Sequence, residues 1–542
     1  MVAAGCGYAA ITLLLFGNLL PVIGTHVYVD QGDPVLNTSV LLWNAKTLPL
    51  TGAWWDFPSF APLSGVTAWT EHLLLAYPLT SPIIWITGNA VLAYNALLLT
   101  CFPLNGICAF LLVREVTRSS IGAFVGGLAF AFAPYHAVQL AHVQTLMAFG
   151  MPLALYGLHR YLRIRRLSAL AWFALGWFSV SLANAYMLVF FPILVMLWCL
   201  WFLRQESWRA WAWIGGTAII TLIPAVPLLW GYHVRQNAYG FLRPYAEQLS
   251  QSASATDLTA ISHRAVLWSG FASDSFRESA IFPGLCISTL AALAVLARRR
   301  AEPARFYFGA AVAMWLVALG PEPTWSGAQS VVYGPYWLLL QVLPIANRIR
   351  VPARAWLPAA LCLAVCAGMG ASWLAWRTRR AWVVWPLALA IVGEGWFYDQ
   401  TYELPVPVQS GLIPVGATVL DLPLLQGFQN ASAQYLAVVG NYRVVNGYSG
   451  YTAPHSAALR EALAAHHAPA VDAFRRRGDL YVLVRPEVDA PFEEWLRSQQ
   501  PIELVATSGL TRVYRLARLG PGPATPVLAP LPTHAEPVFT LD

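Results

Sequence analysis

The chain has 542 residues, of which 58% are hydrophobic and 11% are charged. Soluble globular domains carry about a quarter charged residues, so this composition excludes an ordinary soluble domain and indicates an integral membrane protein. The formal charge of +7 comes from short arginine clusters between apolar stretches, unlike the continuous basic patch of a nucleic-acid-binding protein. No nucleic acid is therefore expected as a partner.

The cysteines and the absent cofactor motifs narrow the function classes further. The seven cysteines include no CxxC pair, and none lies in the polar C-terminal region, which argues against a disulfide framework and a zinc site. The sequence contains no Walker motif, no GxGxxG at a strand end and no haem or iron–sulfur ligand set. An ATP-driven pump and a redox subunit are therefore not expected.

Apolar stretches long enough to cross a bilayer recur along residues 1–398. A spanning helix needs about 20 apolar residues, and this criterion predicts eleven spans with three long external loops, 27–85, 233–280 and 321–355. The predicted fold class is a polytopic α-helical membrane protein. The spans are 4–26, 86–113, 120–134, 145–161, 168–183, 186–203, 210–232, 281–297, 306–320, 356–376 and 381–398.

Arginine clusters predict the orientation of these spans. They follow the even-numbered spans, whereas the short odd-numbered loops carry none. Because basic loops stay in the cytoplasm, the N-terminus is predicted to be cytoplasmic and the C-terminus external. No arginine precedes the first span, which is consistent with a start codon upstream of Met1. The clusters are Arg114 and Arg118; Arg160, Arg163, Arg165 and Arg166; Arg204 and Arg209; Arg298–Arg300 with Arg305; and Arg377, Arg379 and Arg380.

The polar region 399–519 predicts a small external α/β domain. Short apolar runs alternate there with helical periods, and two runs around Ser508-Gly509 predict a hairpin. The stretch 520–542 is Pro-rich without periodicity and is predicted to be disordered. The predicted strands are 419–422, 480–484, 502–506 and 511–516, and the predicted helices are 456–466, 470–477 and 492–499.

Two carboxylates, Asp30 and Asp33, follow the first predicted span. A carboxylate at a membrane–water boundary is costly unless it is solvated, paired or functional. Asp33 could accept a proton in catalysis, or it could cap the surface helix predicted to start near Pro34. Asp30 could be a second site residue or a solvated interfacial carboxylate.

Polar side chains in two further external segments are candidate ligands. His136, His142 and Gln144 could contact a phosphate or a metal, although their spacing matches no zinc motif. The alternative is that they form hydrogen bonds within the bundle. Glu71 and His72, in the first long loop, could supply a second acid, a metal ligand or a partner for an arginine.

Residues in the second half of the chain suggest phosphate and sugar contacts. Arg350 and Arg354 are four apart, so a helix would place both on one face, where guanidinium groups suit a phosphate. The alternative is anchoring at the membrane edge. Asn446-Gly447-Tyr448 could line a sugar site or form a turn. Glu394 and Asp399 mark the outer end of the last span and are predicted to be junctional.

Short motifs along nearly the whole chain include Gly32-Asp33-Pro34 with Asn37, Glu71-His72-Leu73, Gly88-Asn89 with Tyr94-Asn95, Phe130–Tyr135, Ala141–Gln144, Arg350–Arg354 and Val445–Tyr451. With the predicted topology, they resemble the C-type (GT-C) glycosyltransferase superfamily, whose members use polyprenyl-phosphate-linked sugars. The resemblance implies that Asp33, or secondly Asp30, is the general base or helps hold a divalent metal such as Mg²⁺ or Mn²⁺. The second external turn offers His142 and Gln144 in place of an acidic motif, which puts metal dependence in doubt.

Together these observations predict a multi-pass glycosyltransferase of the bacterial inner membrane. It would pass a sugar, with inversion, from a polyprenyl-phosphate carrier to a cell-envelope glycan, lipid or protein at the external face. The predicted contacts with donor phosphate and substrate are Arg350, Arg354, His142, Gln144, Glu71, His72 and Tyr448.

Two alternatives remain open. One is a transporter or flippase of lipid-linked sugars, and the other is a non-catalytic envelope-assembly protein that binds partners through its C-terminal domain. A transporter is expected to carry charges near the bilayer midplane and repeated halves. Here the charges lie at the external edge and no repeat is apparent, which favours the enzyme.

Overall fold

The computed structural model describes residues 1–272, 278–297, 301–325, 328–329, 332–409, 411–425 and 427–520. Most of the chain before residue 395 is helical. Its α-helices are α1 Val2–Leu15, α2 Asp33–Lys46, α3 Tyr77–Thr87, α4 Ala90–Thr117, α5 Ser120–Ala131, α6 Tyr135–Val138, α7 Val143–Leu146, α8 Gly150–Ile164, α9 Leu170–Ala183, α10 Met187–Phe202, α11 Trp208–Leu222, α12 Val226–Ala238, α13 Tyr245–Ser250, α14 Leu285–Leu296, α15 Ala301–Ala318, α16 Pro335–Val342, α17 Trp356–Thr378 and α18 Trp385–Glu394.

Several of these helical segments have the length and composition of membrane spans. Within the described residues, four are long and apolar enough to cross a bilayer: Ala90–Thr117, Ser120–Val138, Trp208–Ala238 and Pro352–Thr378. Six shorter segments are also apolar. By length and composition these helices suit a membrane protein, but they do not establish the predicted number of eleven spans. The shorter segments are Val2–Leu15, Leu74–Thr87, Leu167–Ala183, Met187–Phe202, Leu285–Leu296 and Ala381–Glu394.

The first predicted span, 4–26, is a shorter helix than expected. Helix α1 ends at Leu15, and the chain then turns through the 3₁₀ helix Leu20–Val22. Gly17 and Pro21 lie in this stretch, where glycine weakens a helix and proline lacks the N–H that would continue it. The 14 residues of α1 extend about 21 Å, less than the ~30 Å hydrocarbon core of a bilayer.

Helices α5 and α17 cross in close contact. A Cβ atom added at Gly368 of α17 would lie 2.6 Å from the carbonyl oxygen of Gly122 in α5. Side chains larger than hydrogen would therefore force the two helices apart at this point. Small residues at helix crossings are typical of membrane proteins, because packing replaces the hydrophobic effect there.

The C-terminal region forms a mixed five-stranded sheet with four helices. Four of the strands and three of the helices agree with those predicted, whereas the strand Arg443–Val444 and the helix Ala431–Gly440 are not among the predicted elements. In spatial order, the sheet consists of β6 (Arg443–Val444), β5 (Thr418–Leu422), β7 (Leu480–Val484), β9 (Thr511–Leu516) and β8 (Ile502–Ser508). Strand β5 is parallel to β6 and β7, and β9 is antiparallel to β7 and β8. Residues 521–542 of the predicted disordered tail lie outside the described residues. The elements are β5 Thr418–Leu422, β6 Arg443–Val444, β7 Leu480–Val484, β8 Ile502–Ser508, β9 Thr511–Leu516, α19 Ala431–Gly440, α20 Ser456–Ala464, α21 Ala468–Arg475 and α22 Ala490–Arg497; the strands before them are β1 His26–Tyr28, β2 Thr324–Trp325, β3 Ala328–Gln329 and β4 Thr401–Glu403.

Backbone hydrogen bonds join the first long loop to this sheet. The N–H of Ala61 donates to the carbonyl of Val444 at 2.9 Å, the N–H of Val444 to Pro58 at 3.0 Å, and the N–H of Phe60 to Asn446 at 3.1 Å. Residues 58–61 thus cover the outer edge of β6. Strands β1 and β4 pair antiparallel as well. The two predicted regions, 1–398 and 399–519, therefore meet through main-chain bonds.

Lys46 adds a side-chain tie between the same two regions. It lies in the last turn of α2, and its ammonium group donates to the carbonyls of Val438 (2.7 Å) and Val439 (3.1 Å) and to Oδ1 of Asn441 (2.9 Å). These acceptors are at the C-terminal end of α19, where helix carbonyls lack helical partners. The C-terminal end of α2 is thereby fixed to α19.

Candidate active site

Asp33 is the first residue of α2, and its side chain does not cap that helix. Gly32 occupies the N-cap position with no side-chain cap, and Pro34 follows in the first turn. The N–H of Gly32 instead donates to Oδ1 of Asp30 at 2.7 Å. Asp30 thus stabilises the turn that precedes α2, and Asp33 remains available for contacts elsewhere. Its position at a helix N-terminus favours the ionised carboxylate.

Both carboxylate oxygens of Asp33 accept hydrogen bonds from distant parts of the chain. His142 Nε2 lies 2.9 Å from Oδ2, and the Tyr448 hydroxyl donates to Oδ1 at 2.6 Å. Burial by itself raises the pKa of Asp33, but the bonds from His142 and Tyr448, with the charge of Arg354, lower it to about 2. Asp33 is therefore ionised near neutral pH, and 23% of its side chain is exposed.

Glu278 is a member of this cluster that the sequence did not indicate. One of its oxygens lies 3.5 Å from His142 Nε2, and both accept from the Arg354 guanidinium, at 2.7 Å and 3.1 Å. The guanidinium also stacks on the Tyr186 ring, 4.4 Å from its centroid. Burial raises the pKa of Glu278, but Arg354 and His142 outweigh this effect and lower it to about 2.

Glu278 lies in a long loop and belongs to no recognisable motif. The only sequence feature that could have suggested it is Arg354, because a buried guanidinium needs a carboxylate partner. The side chain of Arg354 is 4% exposed. The sequence offers several acidic residues in 233–280, however, and gives no reason to choose among them.

A cavity of about 710 Å³ opens beside Asp33. Asn37, one turn further along α2, and Tyr448 share its wall with Asp33. Of the nine residues predicted for the site, the structure brings eight to this cavity. They are Asp33, Glu71, His72, His142, Gln144, Arg350, Arg354 and Tyr448.

Asp30, the ninth, does not line the cavity, and neither does His136. The His136 ring is buried and has its edge towards Phe102 and Phe130, with centroids 5.9 Å and 6.0 Å apart. The structure therefore separates His136 from His142, which the sequence had grouped as candidate phosphate or metal ligands.

Glu71, His72 and Gln144 contribute to the cavity wall in different ways. Burial raises the pKa of Glu71, although Arg354 and the N–H of Ala185 oppose this effect. Burial lowers the pKa of His72 to about 4, and its Nδ1 accepts from the N–H of Leu74 at 3.1 Å. His72 is therefore a neutral residue that shapes its own turn. Gln144 accepts a long hydrogen bond, 3.4 Å, from Asn37.

The arginines that line the cavity differ in how strongly other residues of the protein bind their guanidinium groups. Arg348 donates to Gln236 at 2.8 Å and to Asn237. Arg243 donates to the carbonyl of Gly450 at 2.5 Å. Arg350 has a weak ion pair, 3.9 Å from Glu247, and 37% of its side chain is exposed. Arg350 is thus the arginine best placed to meet an anion that enters the cavity.

The expectation that one helix presents Arg350 and Arg354 on the same face is wrong. Val351 is extended, with φ −120° and ψ 87°, and a 3₁₀ turn, Pro352–Ala355, follows it. Proline disfavours helical backbone in the preceding residue, so no helix connects the two arginines. Both still line the cavity, but Arg354 binds Glu278 whereas Arg350 stays open.

The described side chains at this cavity do not form a ligand set for a divalent metal. Among the described residues, no three His, Cys, Asp or Glu side chains are grouped so that they could hold an ion. Asp33 and Glu278 are the nearest candidates, but their oxygens already accept from His142, Tyr448 and Arg354. As arranged, this cluster does not fit a divalent ion.

Glu394 and Asp399 have structural contacts outside the cavity, as their junctional prediction implies. Glu394 accepts from the N–H groups of Leu285 (2.9 Å) and Cys286 (3.0 Å) at the start of α14. Asp399 pairs with Arg264. Each carboxylate therefore holds two segments together near the outer end of α18.

Comparison with solved structures places the fold. No family profile and no curated protein sequence matches the chain. An arabinofuranosyltransferase, AftD, from mycobacteria superimposes with a TM-score of 0.62 at 14% identity, over 95% of this chain and 40% of the other. The oligosaccharyltransferase of Archaeoglobus fulgidus in its apo form superimposes with a TM-score of 0.51 at 11% identity, over 89% of this chain and 69% of the other.

A structure of the same archaeal enzyme with zinc and sulfate gives a TM-score of 0.50 at 13% identity, over 88% of this chain and 67% of the other. The chain spans about two fifths of the length of AftD. Both enzymes are GT-C glycosyltransferases. At these identities the likeness concerns the fold, and the predicted resemblance to the GT-C superfamily is confirmed at that level.

Proposed function

We propose that the chain is a membrane glycosyltransferase that takes a sugar from a polyprenyl-phosphate carrier. The observation that carries this proposal is the position of Asp33. It lies on a GT-C fold, ionised and partly exposed, at a cavity whose wall also carries the open Arg350. A base and an anion-binding cation beside one cavity are the two groups that inverting sugar transfer requires.

Asp33 serves as the general base. The acceptor hydroxyl donates its proton to an Asp33 oxygen while its own oxygen forms the new bond to C1 of the donor sugar. His142 and Tyr448 hold the carboxylate by one hydrogen bond to each oxygen, so its remaining lone pairs are fixed in direction. Such fixed orientation is worth several kcal/mol of barrier in well-positioned reactions.

Arg350 stabilises the departing phosphate. The bond from C1 to the phosphate oxygen breaks, the electron pair stays on that oxygen, and the guanidinium of Arg350 neutralises the added charge. Arg348 and Arg243 line the same cavity and add to the positive potential around the phosphate. Arg354 acts less directly, because its guanidinium holds Glu278 and through it the His142 imidazole.

Apolar residues of the same cavity suit the carrier chain. Leu188, Leu228 and Leu229 line it together with Ile345. Two of these leucines belong to the segment Trp208–Ala238, in which only 17% of an apolar stretch of 18 residues is buried within the protein. A helix so weakly enclosed lets a lipid enter from the side. We assign the external face of the bacterial inner membrane to this reaction, on the arginine distribution.

The acceptor in this proposal is a cell-envelope glycan, lipid or protein. The test is a glycan profile of three bacterial strains: a deletion, the deletion with the wild-type gene, and the deletion with Asp33→Asn at matched protein level. A sugar that disappears on deletion and returns only with the wild type is the expected result. Rescue by both genes would contradict the catalytic role of Asp33 and favour the transporter or the assembly protein.

A matched variant separates the base from its neighbour. Asp30→Asn removes a carboxylate three residues away, which accepts from the Gly32 N–H and does not line the cavity. It should restore most of the missing sugar. If Asp30→Asn fails as completely as Asp33→Asn at equal protein level, the base assignment moves to Asp30.

A further inference from the structure

A second cavity lies at the opposite end of α17 from the candidate active site. Helix α17 has 23 residues, and at 1.5 Å per residue it is about 35 Å long. Arg354 lies two residues before its first residue, Trp356, and the second cavity, of about 580 Å³, surrounds its last turns. The cavity forms where α4, α14 and α17 end and α5 begins.

One face of α17 forms the floor of this cavity. Met369, Ser372, Trp373 and Trp376 all line it, and their spacing of three, four and seven residues places them on one side of a helix. At Gly368, directly before Met369, the helix is packed against α5. The floor is thus apolar, and it carries two tryptophans, the side chain that concentrates at membrane interfaces.

Two arginines at this cavity have little of their positive charge neutralised by carboxylates of the described residues. Arg118 and Arg379 end α4 and α17 in left-handed C-cap conformations, with φ of 63° and 55°. Arg118 is 3.9 Å from Glu115, but Arg163 already binds both oxygens of that carboxylate. Arg379 has no ion pair with any residue that the structure describes. Among the described residues that line the cavity there is no carboxylate.

We propose that this cavity binds the phosphate headgroup of an anionic glycerophospholipid. Arg118 and Arg379 would hold the phosphate, because a guanidinium group can donate two parallel hydrogen bonds to phosphate oxygens. The acyl chains would lie on the apolar floor beside Trp373 and Ile121. A soluble anion would not use such a floor, and basic pockets between membrane helices on the cytoplasmic side are typical sites for anionic lipid headgroups.

The test measures lipid retention by the full-length protein. Purified protein is placed in nanodiscs of phosphatidylcholine that contain about 20% phosphatidylglycerol as the anionic lipid. The protein is then extracted into detergent, and the lipids that it retains are quantified by mass spectrometry. Wild type should retain phosphatidylglycerol in several-fold excess over its bulk share. Arg118→Gln with Arg379→Gln should bring the retained lipid back to the bulk composition.

The control removes two arginines of the same predicted side that do not line the cavity. Arg165, which pairs with Glu206, and Arg209 are both exposed, and Arg165→Gln with Arg209→Gln should retain phosphatidylglycerol as the wild type does. Equal loss in both double variants would overturn the proposal, since it would reduce the effect to general surface charge.

A further arm distinguishes the lipid from a soluble anion. Excess glycerol 3-phosphate, which has the phosphate without the acyl chains, should leave most of the phosphatidylglycerol bound. Complete displacement by glycerol 3-phosphate would contradict the assignment to a lipid. Gel-filtration profiles of both double variants should match the wild type, because all four arginines are on the surface.

Discussion

The two ends of α17 carry arginines in opposite surroundings. At its beginning, Arg354 is buried and bound through two hydrogen bonds to Glu278, which in turn lies next to the His142–Asp33 pair. At its end, Arg379 is exposed and without an ion pair among the described residues. The difference indicates that the first end has a charge network that holds its members in one arrangement. The second end has positive charge left for a partner outside the chain.

The largest expected effect concerns the base at the first end. Asp33→Asn keeps the shape of the side chain but removes the proton acceptor, so the rate of sugar transfer should fall about 10²- to 10⁴-fold. The measurement is transfer of sugar from a polyprenyl-phosphate donor by purified protein. A loss of less than tenfold with normal folding would show that Asp33 is not the base.

The second effect tests whether the network is a structural unit. Glu278→Gln removes the charge that compensates buried Arg354, and breaking a buried ion pair costs about 3–5 kcal/mol. The free energy of unfolding, followed by thermal denaturation in detergent, should fall accordingly.

The matched control for Glu278 is Glu247→Gln. Glu247 lies 3.5 Å from Arg243 and 3.9 Å from Arg350, and 32% of its side chain is exposed, so this change should cost about 1 kcal/mol or less. Equal destabilisation by the two variants would contradict the distinction between a closed network and open arginines.

A third effect concerns Arg350, the open arginine of the first end. Arg350→Gln removes a charged hydrogen-bond donor, which is worth about 1.5–3 kcal/mol. The KM for the lipid-linked donor should therefore rise by about tenfold or more, with a smaller change in the KM for the acceptor. Donor titrations at saturating acceptor measure this. An unchanged donor KM would place the phosphate elsewhere in the cavity.

A fourth effect separates positioning from packing at Tyr448. The hydroxyl stabilises the ionised form of Asp33, so in Tyr448→Phe the pKa of Asp33 should rise from about 2 towards its ordinary value. Because only ionised Asp33 accepts a proton, the acid side of the pH–rate profile should move to higher pH. Tyr451→Phe is the control, since Tyr451 lines the same cavity with its ring stacked on Phe241. Identical profiles for the two variants would contradict the role of the hydroxyl.

The smallest effect is expected at the second end of α17. Arg118→Gln with Arg379→Gln should leave the transfer rate in detergent within about twofold of wild type, because surface charges some 35 Å away are screened by salt beyond about 10 Å. The same transfer assay measures this. A large loss would join the two ends into one functional unit.

The part of the fold that the sequence predicts best is the part with local, regular patterns. The run Leu480–Val484 is apolar without interruption and forms the central β7, since a strand covered on both faces needs no polar residue. The eight predicted site residues meet at one cavity because their segments lie on the same side of the helical bundle. Segments that leave the bundle on the same side, such as those of Asp33 and His142, converge without any sequence motif that links them.

The parts that could not be predicted depend on contacts between distant residues. Glu278 belongs to the site only because Arg354, 76 residues later, points to it. The bond between Tyr448 and Asp33 joins residues 415 apart, and local patterns in a chain contain no information on such a distant contact. The shortened α1 and the break between Arg350 and Arg354 are different, because Pro21 and Pro352 lie in these segments and act locally.

The coverage of β6 by residues 58–61 has a consequence for how this protein is divided in the laboratory. A fragment that begins near residue 399 would leave the outer edge of β6 with free N–H and C=O groups. Open strand edges recruit other strands, so such a fragment should self-associate when produced alone. Supplying the first loop as a separate peptide that contains Pro58–Ala61 should suppress this association, which makes the C-terminal sheet a candidate for split-protein complementation.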